Sequence, residues 1–280
     1  MSLEAGAEAF FSRSWVRFGH DPVLADWVSA ARPLAERLMA DPDLRRDWLR
    51  CGGTWFAGVN VFPNGPDGAA TCAGVPPLAG RAIEFIAETL GYADVGWDRA
   101  QISACYPGYP QPSAEESAAA FRFRRDRDAA HVDGLLRDRD RRRRPGEQHA
   151  FILGIPLGDA EPGAAPFVVW EGSHEIMRAA FRARLAGISP EAWAAEDVTE
   201  AYHVARRAAF EDCRRIELRA RPGEAYLVHR LALHGVAPWR ARLGSTGSRS
   251  GRPEAHGPPR VIAYFRPAAG FGPEQWLEAP

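Results

Sequence analysis

The sequence predicts a mainly β fold with some α, an antiparallel sandwich or barrel of the jelly-roll kind behind an N-terminal helical layer. Three observations carry that expectation. In the first third of the 280-residue chain, apolar residues recur at three- and four-residue spacing, the period of an amphipathic helix. From about residue 99 the pattern becomes short β-rich runs separated by Gly and Pro turns. Those runs do not alternate regularly with helices, as a parallel α/β sheet requires. With 46% hydrophobic and 10% aromatic residues, the chain can bury a sizeable core.

The elements follow in order. Residues 1–97 read as mostly helical. Asp21-Pro22 opens the segment DPVLADWVSAARPLAERLM, with Pro33 expected as a break or a new start. A second helix fits residues 80–90 and is closed by Gly91. Between them GTWFAGVNVFPNGPDG reads as a short strand running into a Pro/Gly loop. Residues 98–270 form the expected β core, with runs such as RAQISACYPGY, HAFILGIPL, APFVVWEG, RRIELRAR, EAYLVHRLALHGV and RVIAYFRP. Helical patterns within 174–212 interrupt these runs as an insertion. Segments 110–129 and 240–259 read as loops, the latter a loop insertion, and the whole of 1–280 reads as one domain.

Composition removes several function classes. No apolar run approaches the roughly 20 residues of a membrane helix. The early acidic residues do not fit a secretory leader. The four cysteines (Cys51, Cys72, Cys105 and Cys213) are far apart and fit isolated thiols in a reducing cytoplasm. All 35 basic residues are arginine. Without lysine there is no amine for a Schiff base and no Walker-type phosphate loop. Any fixed cation that holds an anionic cosubstrate must therefore be arginine.

The segment DAAHVDGLL sets His131 and Asp133 two residues apart. On a strand, side chains i and i+2 share a face, so an imidazole and a carboxylate can converge on one point. Two neutral nitrogens and one carboxylate suit iron(II) and leave coordination positions open. The third ligand must come from a distant strand, and HRLALHGVAPW offers His234, with His229 as its rival. Taken alone, an HxD pair is as readily a surface His–Asp hydrogen bond.

The order of further motifs adds to this. HVD at 131–133, VVWEGSHE at 168–175, PGEAYLVHRLALHG at 222–235 and RVIAYF at 260–265 together resemble the phytanoyl-CoA dioxygenase-like family of iron(II)/2-oxoglutarate oxygenases, over about residues 99–267. The resemblance implies a cupin-like double-stranded β-helix and an enzyme using iron(II), 2-oxoglutarate and dioxygen. It implies hydroxylation of a small organic molecule, with release of succinate and carbon dioxide. It places the iron ligands on His131, Asp133 and His234, the cosubstrate arginine on Arg260, and a further cosubstrate contact on Gln101.

Two features depart from the family pattern. The gap between His234 and Arg260 is 26 residues, wider than usual, so Arg240, Arg242 and Arg266 stand as alternative anchors. The turn after the distal histidine reads HGVAPW, so Val236 cannot supply the hydroxyl that some relatives direct at the cosubstrate. Halogenases of this fold lack the carboxylate ligand, and its presence as Asp133 points to hydroxylation. The competing expectation is a cupin-like metal-binding protein or isomerase without oxygen chemistry, which needs no cationic anchor.

The net charge is only −1, yet Phe121–Arg144 holds ten arginines against five aspartates. Solvated loops with internal Arg–Asp pairing explain such a run. It can equally steer an anionic small-molecule substrate towards the HxD motif that it flanks. Nucleic-acid binding is disfavoured, because the run lacks the interleaved aromatics of a stacking platform. Trp55 and Phe56 are expected in core packing, with closure over a substrate as the alternative.

Overall fold

The computed structural model describes residues 3–114, 116–240, 257–268 and 272–279. The N-terminal part contains α1 (Leu3–Arg13), β1 (Trp15–Phe18), α2 (Pro22–Ala40), α3 (Pro42–Trp48), β2 (Leu49–Arg50), β3 (Trp55–Phe56) and α4 (Arg81–Glu88). Then follow β4 (Gln101–Cys105), α5 (Ala118–Arg127), β5 (Leu135–Arg137), β6 (Arg143–Pro145), β7 (Phe151–Pro156) and β8 (Phe167–Trp170). The chain continues through α6 (Ser173–Leu185), α7 (Thr199–Asp212), β9 (Arg215–Leu218), β10 (Ala225–His229), β11 (His234–Val236), β12 (Arg260–Phe265) and α8 (Pro273–Glu278).

The strands build a jelly roll. A seven-stranded sheet runs β1-β10-β7-β12-β4-β3-β2 and faces a three-stranded sheet β11-β8-β9. An isolated bridge between His131 and His234 adds a fourth position to the smaller sheet. The central β10-β7-β12-β4 pairing is antiparallel throughout, so the chain alternates between two facing layers as a closed sandwich requires.

Side-chain alternation then divides each strand of the larger sheet between two cores. Phe151, Leu153, Ile155, Val261, Ala263 and Phe265 pack outward with Trp27, Val28, Phe85 and Ile86 of the helical layer. Ile152, Tyr226, Val228, Ile262 and Tyr264 point inward and meet Phe167, Val169 and Leu218 of the smaller sheet. Buried Asp21 ties the helical layer together. One of its carboxylate oxygens accepts the Val23 N–H at the start of α2, and the other accepts the Arg81 N–H at the start of α4, so one side chain caps two helices.

Three local expectations are corrected. Pro33 does not break the first helix, because α2 runs through it from 22 to 40. Pro33 faces solvent, and the buried face of Leu24, Trp27, Val28, Ala31, Leu34, Ala35 and Met39 outweighs its lost backbone bond. Segment 110–129 is not all loop, since α5 occupies 118–127. Its Ser117 hydroxyl accepts the Ala120 N–H, and alanine and arginine are good helix formers even where no face is buried. The N-terminal part also lends β1 to the sheet edge beside β10. The helical segment 174–212 lies between β8 and β9 as expected, while nearly all of 240–259 lies outside the described residues.

Gly154 of β7 sits in register between Tyr226 and Tyr264 on the inner face. A Cβ there would meet the Tyr226 ring at 2.3 Å. Gly154→Ala is therefore expected to destabilise the fold by about 1–3 kcal/mol through overpacking, read as a lowered urea midpoint.

Candidate metal centre

The centre forms where two short segments meet. His131 and His234 exchange both backbone hydrogen bonds, at 2.8 and 2.9 Å, which sets the two residues directly opposite each other. Three features hold the bridge in place. The α5 helix ends in two left-handed residues, Asp128 and Ala129, and Arg215 clamps the Asp128 carboxylate at 2.7 and 3.1 Å. The Asp128 carbonyl accepts the Val236 N–H, an approach so close that a Cβ on Gly235 would lie 2.2 Å from that oxygen. The Gly-Ser-His turn contributes the third: the Ser173 hydroxyl accepts the Leu233 N–H at 2.8 Å, immediately before the distal histidine.

His131, Asp133 and His234 bring one nitrogen or oxygen ligand atom each to within 4.8 Å of one another. Asp133 Oδ1 lies 3.6 Å from Nε2 of each histidine. HVD does not form a regular strand. Only His131 pairs, and Asp133 follows in a bend before the left-handed Gly134. Arg266 aims the carboxylate instead, donating to Oδ2 from Nε at 2.9 Å and from Nη2 at 2.7 Å.

The donor chemistry fits a divalent metal. Nδ1 of His131 faces the Ala129 carbonyl and Nδ1 of His234 faces the Ala232 carbonyl, each at 3.0 Å. A carbonyl only accepts, so each Nδ1 carries a proton, and in the neutral imidazole Nε2 is then the nitrogen that presents a lone pair. Burial would raise the Asp133 pKa, but Arg266 and the two imidazoles hold it well below the usual carboxylate range. Partial burial, and next the His234 ring, push His131 down to about 4. Half of its side chain remains open to solvent, and the ring is neutral at pH 7. Iron, zinc or another first-row divalent ion would meet two neutral nitrogens and one charged oxygen here, with Arg266 opposing bidentate use of the carboxylate.

The remaining predicted residues line the jelly-roll interior. Arg260 opens β12 and is 4% exposed. Its contacts are the Tyr264 hydroxyl at 3.4 Å and Cys105 Sγ at 3.6 Å, and its Nε has no partner among the described residues. It lines a cavity of about 440 Å³ with Phe167, Tyr226 and Ile262. None of the three candidate ligands lines that cavity. Phe167 connects the two, since its ring stacks on His234 at 13° and 5.4 Å. Gln101 also faces inward, but both ends of its amide are engaged, donating to the Ala57 carbonyl at 2.8 Å and accepting from Arg266 at 3.4 Å.

Among the alternative anchors, Arg266 is committed to Asp133, Arg240 pairs with Glu217, and Arg242 lies outside the described residues. His229 is not at the centre. The chain leaves the large sheet after His229 and enters the small one at His234, and His229 is buried beside His174 and Arg178. Sequence reasoning missed Arg266 as the partner of Asp133, and Ser173 as the support for Leu233. It also missed the Tyr226 and Tyr264 hydroxyls, 3.2 Å apart beside Arg260. Period-two spacing from Arg260 does mark Tyr264 as sharing its face.

Comparison with known proteins agrees with this architecture. No family model matches the chain, and no curated protein is significantly similar to it in sequence. Among solved structures, it resembles the non-heme alpha ketoglutarate dependent carbocyclase SnoK from nogalamycin biosynthesis, with a TM-score of 0.54 and 12% identity over 95% of this chain and 85% of that one. It also resembles AviO1 from Streptomyces viridochromogenes Tue57, with a TM-score of 0.51 and 14% identity over 96% of this chain and 97% of that one. At such identities the likeness establishes the fold, a jelly roll shared with a 2-oxoglutarate-dependent enzyme.

Two outcomes follow. Arg266→Gln frees Asp133 to rotate, so the affinity for manganese(II), a non-oxidising probe of the centre, should fall about 10- to 100-fold by calorimetry. Burial, and after it Arg230, His174 and Arg178, hold His229 well below the ordinary imidazole value of 6.5. The folded state therefore binds fewer protons than the unfolded chain below that pH. Stability should decline as pH drops through 6.5, and His229→Gln should flatten the decline in urea midpoint between pH 7.5 and about 5.5.

Proposed function

We propose that this protein is an iron(II)- and 2-oxoglutarate-dependent dioxygenase of the phytanoyl-CoA dioxygenase-like kind, hydroxylating a small organic molecule. The observation that carries this reading is a set of two tautomer-locked histidines and one carboxylate aimed by Arg266, with a buried, partly unpartnered arginine in the same jelly-roll interior. His131 Nε2, Asp133 Oδ1 and His234 Nε2 would hold the iron. Iron(II) with 2-oxoglutarate and dioxygen supplies the oxidation, in which the cosubstrate is decarboxylated to succinate and carbon dioxide and one oxygen atom passes to the substrate.

The chain's own residues supply binding and orientation. Arg260 is placed to bind the far carboxylate of 2-oxoglutarate with its planar fork. A buried guanidinium without a carboxylate is costly, and the cosubstrate would provide one. Tyr264, already in contact with Arg260, can donate its hydroxyl to the same carboxylate in place of the hydroxyl that Val236 lacks. Phe167 stands between His234 and the Arg260 cavity, stacked on the first and lining the second. The half-exposed His131 ring marks the side from which a substrate can approach.

Hydroxylation is the outcome we assign, since Asp133 occupies the position that a halide would need. The ring closure named for SnoK belongs to that protein. A non-oxygenase metal-binding protein or isomerase would have no use for Arg260. We place the enzyme in the cytoplasm, where its free thiols, including buried Cys51 and Cys105, would stay reduced. No helix among the described residues is long and apolar enough to cross a membrane.

Anaerobic addition of iron(II) and 2-oxoglutarate should produce the weak visible charge-transfer band of the chelate. His131→Ala and Asp133→Ala should abolish it. Arg260→Gln should weaken 2-oxoglutarate about 10- to 100-fold while leaving manganese(II) affinity unchanged. A band that survives either ligand substitution sinks the reading.

A further inference from the structure

A broad groove of about 1430 Å³, whose wall holds none of the three candidate ligands, is used by nothing in the reading above. Among the described residues, five arginines line it (Arg46, Arg50, Arg124, Arg137 and Arg141), with Glu116 as the one carboxylate. Two of the five are already balanced: Arg124 holds Glu116 at 2.9 Å, and Arg46 holds Asp43 at 2.7 Å. Arg50, Arg137 and Arg141 have no carboxylate partner among the described residues. The groove is also aromatic. Trp48 and Trp55 contribute to its wall, with Arg50 over the first ring at 5.9 Å and Arg124 over the second at 5.7 Å.

Each wall leads back to the centre. Arg137 and Arg141 belong to the β5–β6 hairpin that follows Asp133, and Arg124 lies on the helix that precedes His131. The third wall, at Trp55–Ala57, is bonded inward. The Trp55 indole donates to Ser103 at 3.0 Å, and Gln101 joins the Ala57 carbonyl to Arg266 and so to Asp133. Arginines without a carboxylate partner (Arg50, Arg137 and Arg141), in a wall that also holds two indoles, suit a molecule with a planar apolar body and a carboxylate or phosphate. The groove has room for a molecule larger than the compact cosubstrate.

We propose that this groove is the substrate site, and that the substrate is an anionic small molecule carrying a planar ring, its charge held by Arg137 and Arg141. The proposal rests on the oxygenase reading for the substrate role and on the groove alone for the binding chemistry.

The test is calorimetric titration of the metal-free protein at low salt with 2-naphthyl phosphate, 2-naphthoate and neutral 2-naphthol. At least one anion should bind, with 2-naphthol about tenfold weaker or more. The ratio of the two anions tells phosphate from carboxylate recognition. Arg137→Gln combined with Arg141→Gln should weaken the anions by about tenfold or more. It should leave 2-naphthol binding, the thermal midpoint and the iron–cosubstrate band unchanged. Equal binding of 2-naphthol, or unchanged anion affinity in the double variant, overturns the groove even where the band forms. A single-stranded oligonucleotide that displaces the probes more strongly than either anion also overturns a small-molecule site. Anion selectivity in a protein that forms no band overturns its assignment as an oxygenase's substrate site.

Discussion

The pair of backbone hydrogen bonds between His131 and His234 is the constraint on which the rest of the site depends. It joins residues about a hundred positions apart through one isolated bridge, without a continuous strand on the His131 side. A single bridge is weak by itself, so its surroundings must over-determine it. The Arg215–Asp128 ion pair fixes the end of α5, and Ser173 fixes the residue before His234. A side chain at Gly235 would force the two segments apart. The imidazole tautomers then follow from the same backbone, because the Ala129 and Ala232 carbonyls lie two residues before their histidines.

The absence of lysine shapes what surrounds that bridge. Arginine stays charged and presents several donors in one plane, so it can be buried in places where lysine would tend to lose its proton. Arg266 uses two donors on a single carboxylate oxygen and a third on Gln101. Arg230 and Arg178 use theirs on backbone carbonyls near the end of α8, including that of Ala279, fastening the C-terminal segment over α6. Arg260 is as buried as Arg230 and Arg178, but its partners are only a hydroxyl and a thiol. Arg178 and Arg260 each leave Nε unbonded among the described residues, so the contrast lies in the partners: Arg178 meets a carboxylate and a backbone carbonyl, and Arg260 meets neither.

Much of this was legible in the sequence, for physical reasons. Period-two runs identify β7, β10 and β12, and motif order singles out His131, Asp133 and His234, which the structure brings together. Other features resist sequence reading because they depend on tertiary contacts. Strand periodicity explains the convergence of His131 and Asp133 less well than expected, since Asp133 sits in a bend and is oriented by a residue 133 positions away. Pro33 and the polar α5 show local signals overruled by packing in one case and hidden by charge in the other. In the arginine-rich run, ion pairing accounts for Arg124, Arg125 and Arg144. Cation–π contacts with Phe210 and Tyr202 account for Arg127 and Arg143. Arg142 pairs with Asp140, and among the described residues Arg122, Arg137, Arg139 and Arg141 are left over by both.

The wide gap between His234 and Arg260 looks from sequence like the weakest link in the site, and the fold shows why it need not matter. Two backbone registers set the position of Arg260: Arg260 opposite Cys105 on β4, and Ile262 opposite Pro156 on β7. Neither depends on the length of the preceding segment. On the other side, β11 and the residues after it are secured up to Arg240. The Ala237 N–H reaches Pro166, that of Trp239 reaches Tyr109, and that of Arg240 reaches Gly163. Lengthening a loop between two such anchored ends adds only about 0.6 kcal/mol of closure entropy per doubling. Sequence spacing between His234 and Arg260 is thus a weak constraint in this architecture, and strand register is the strong one.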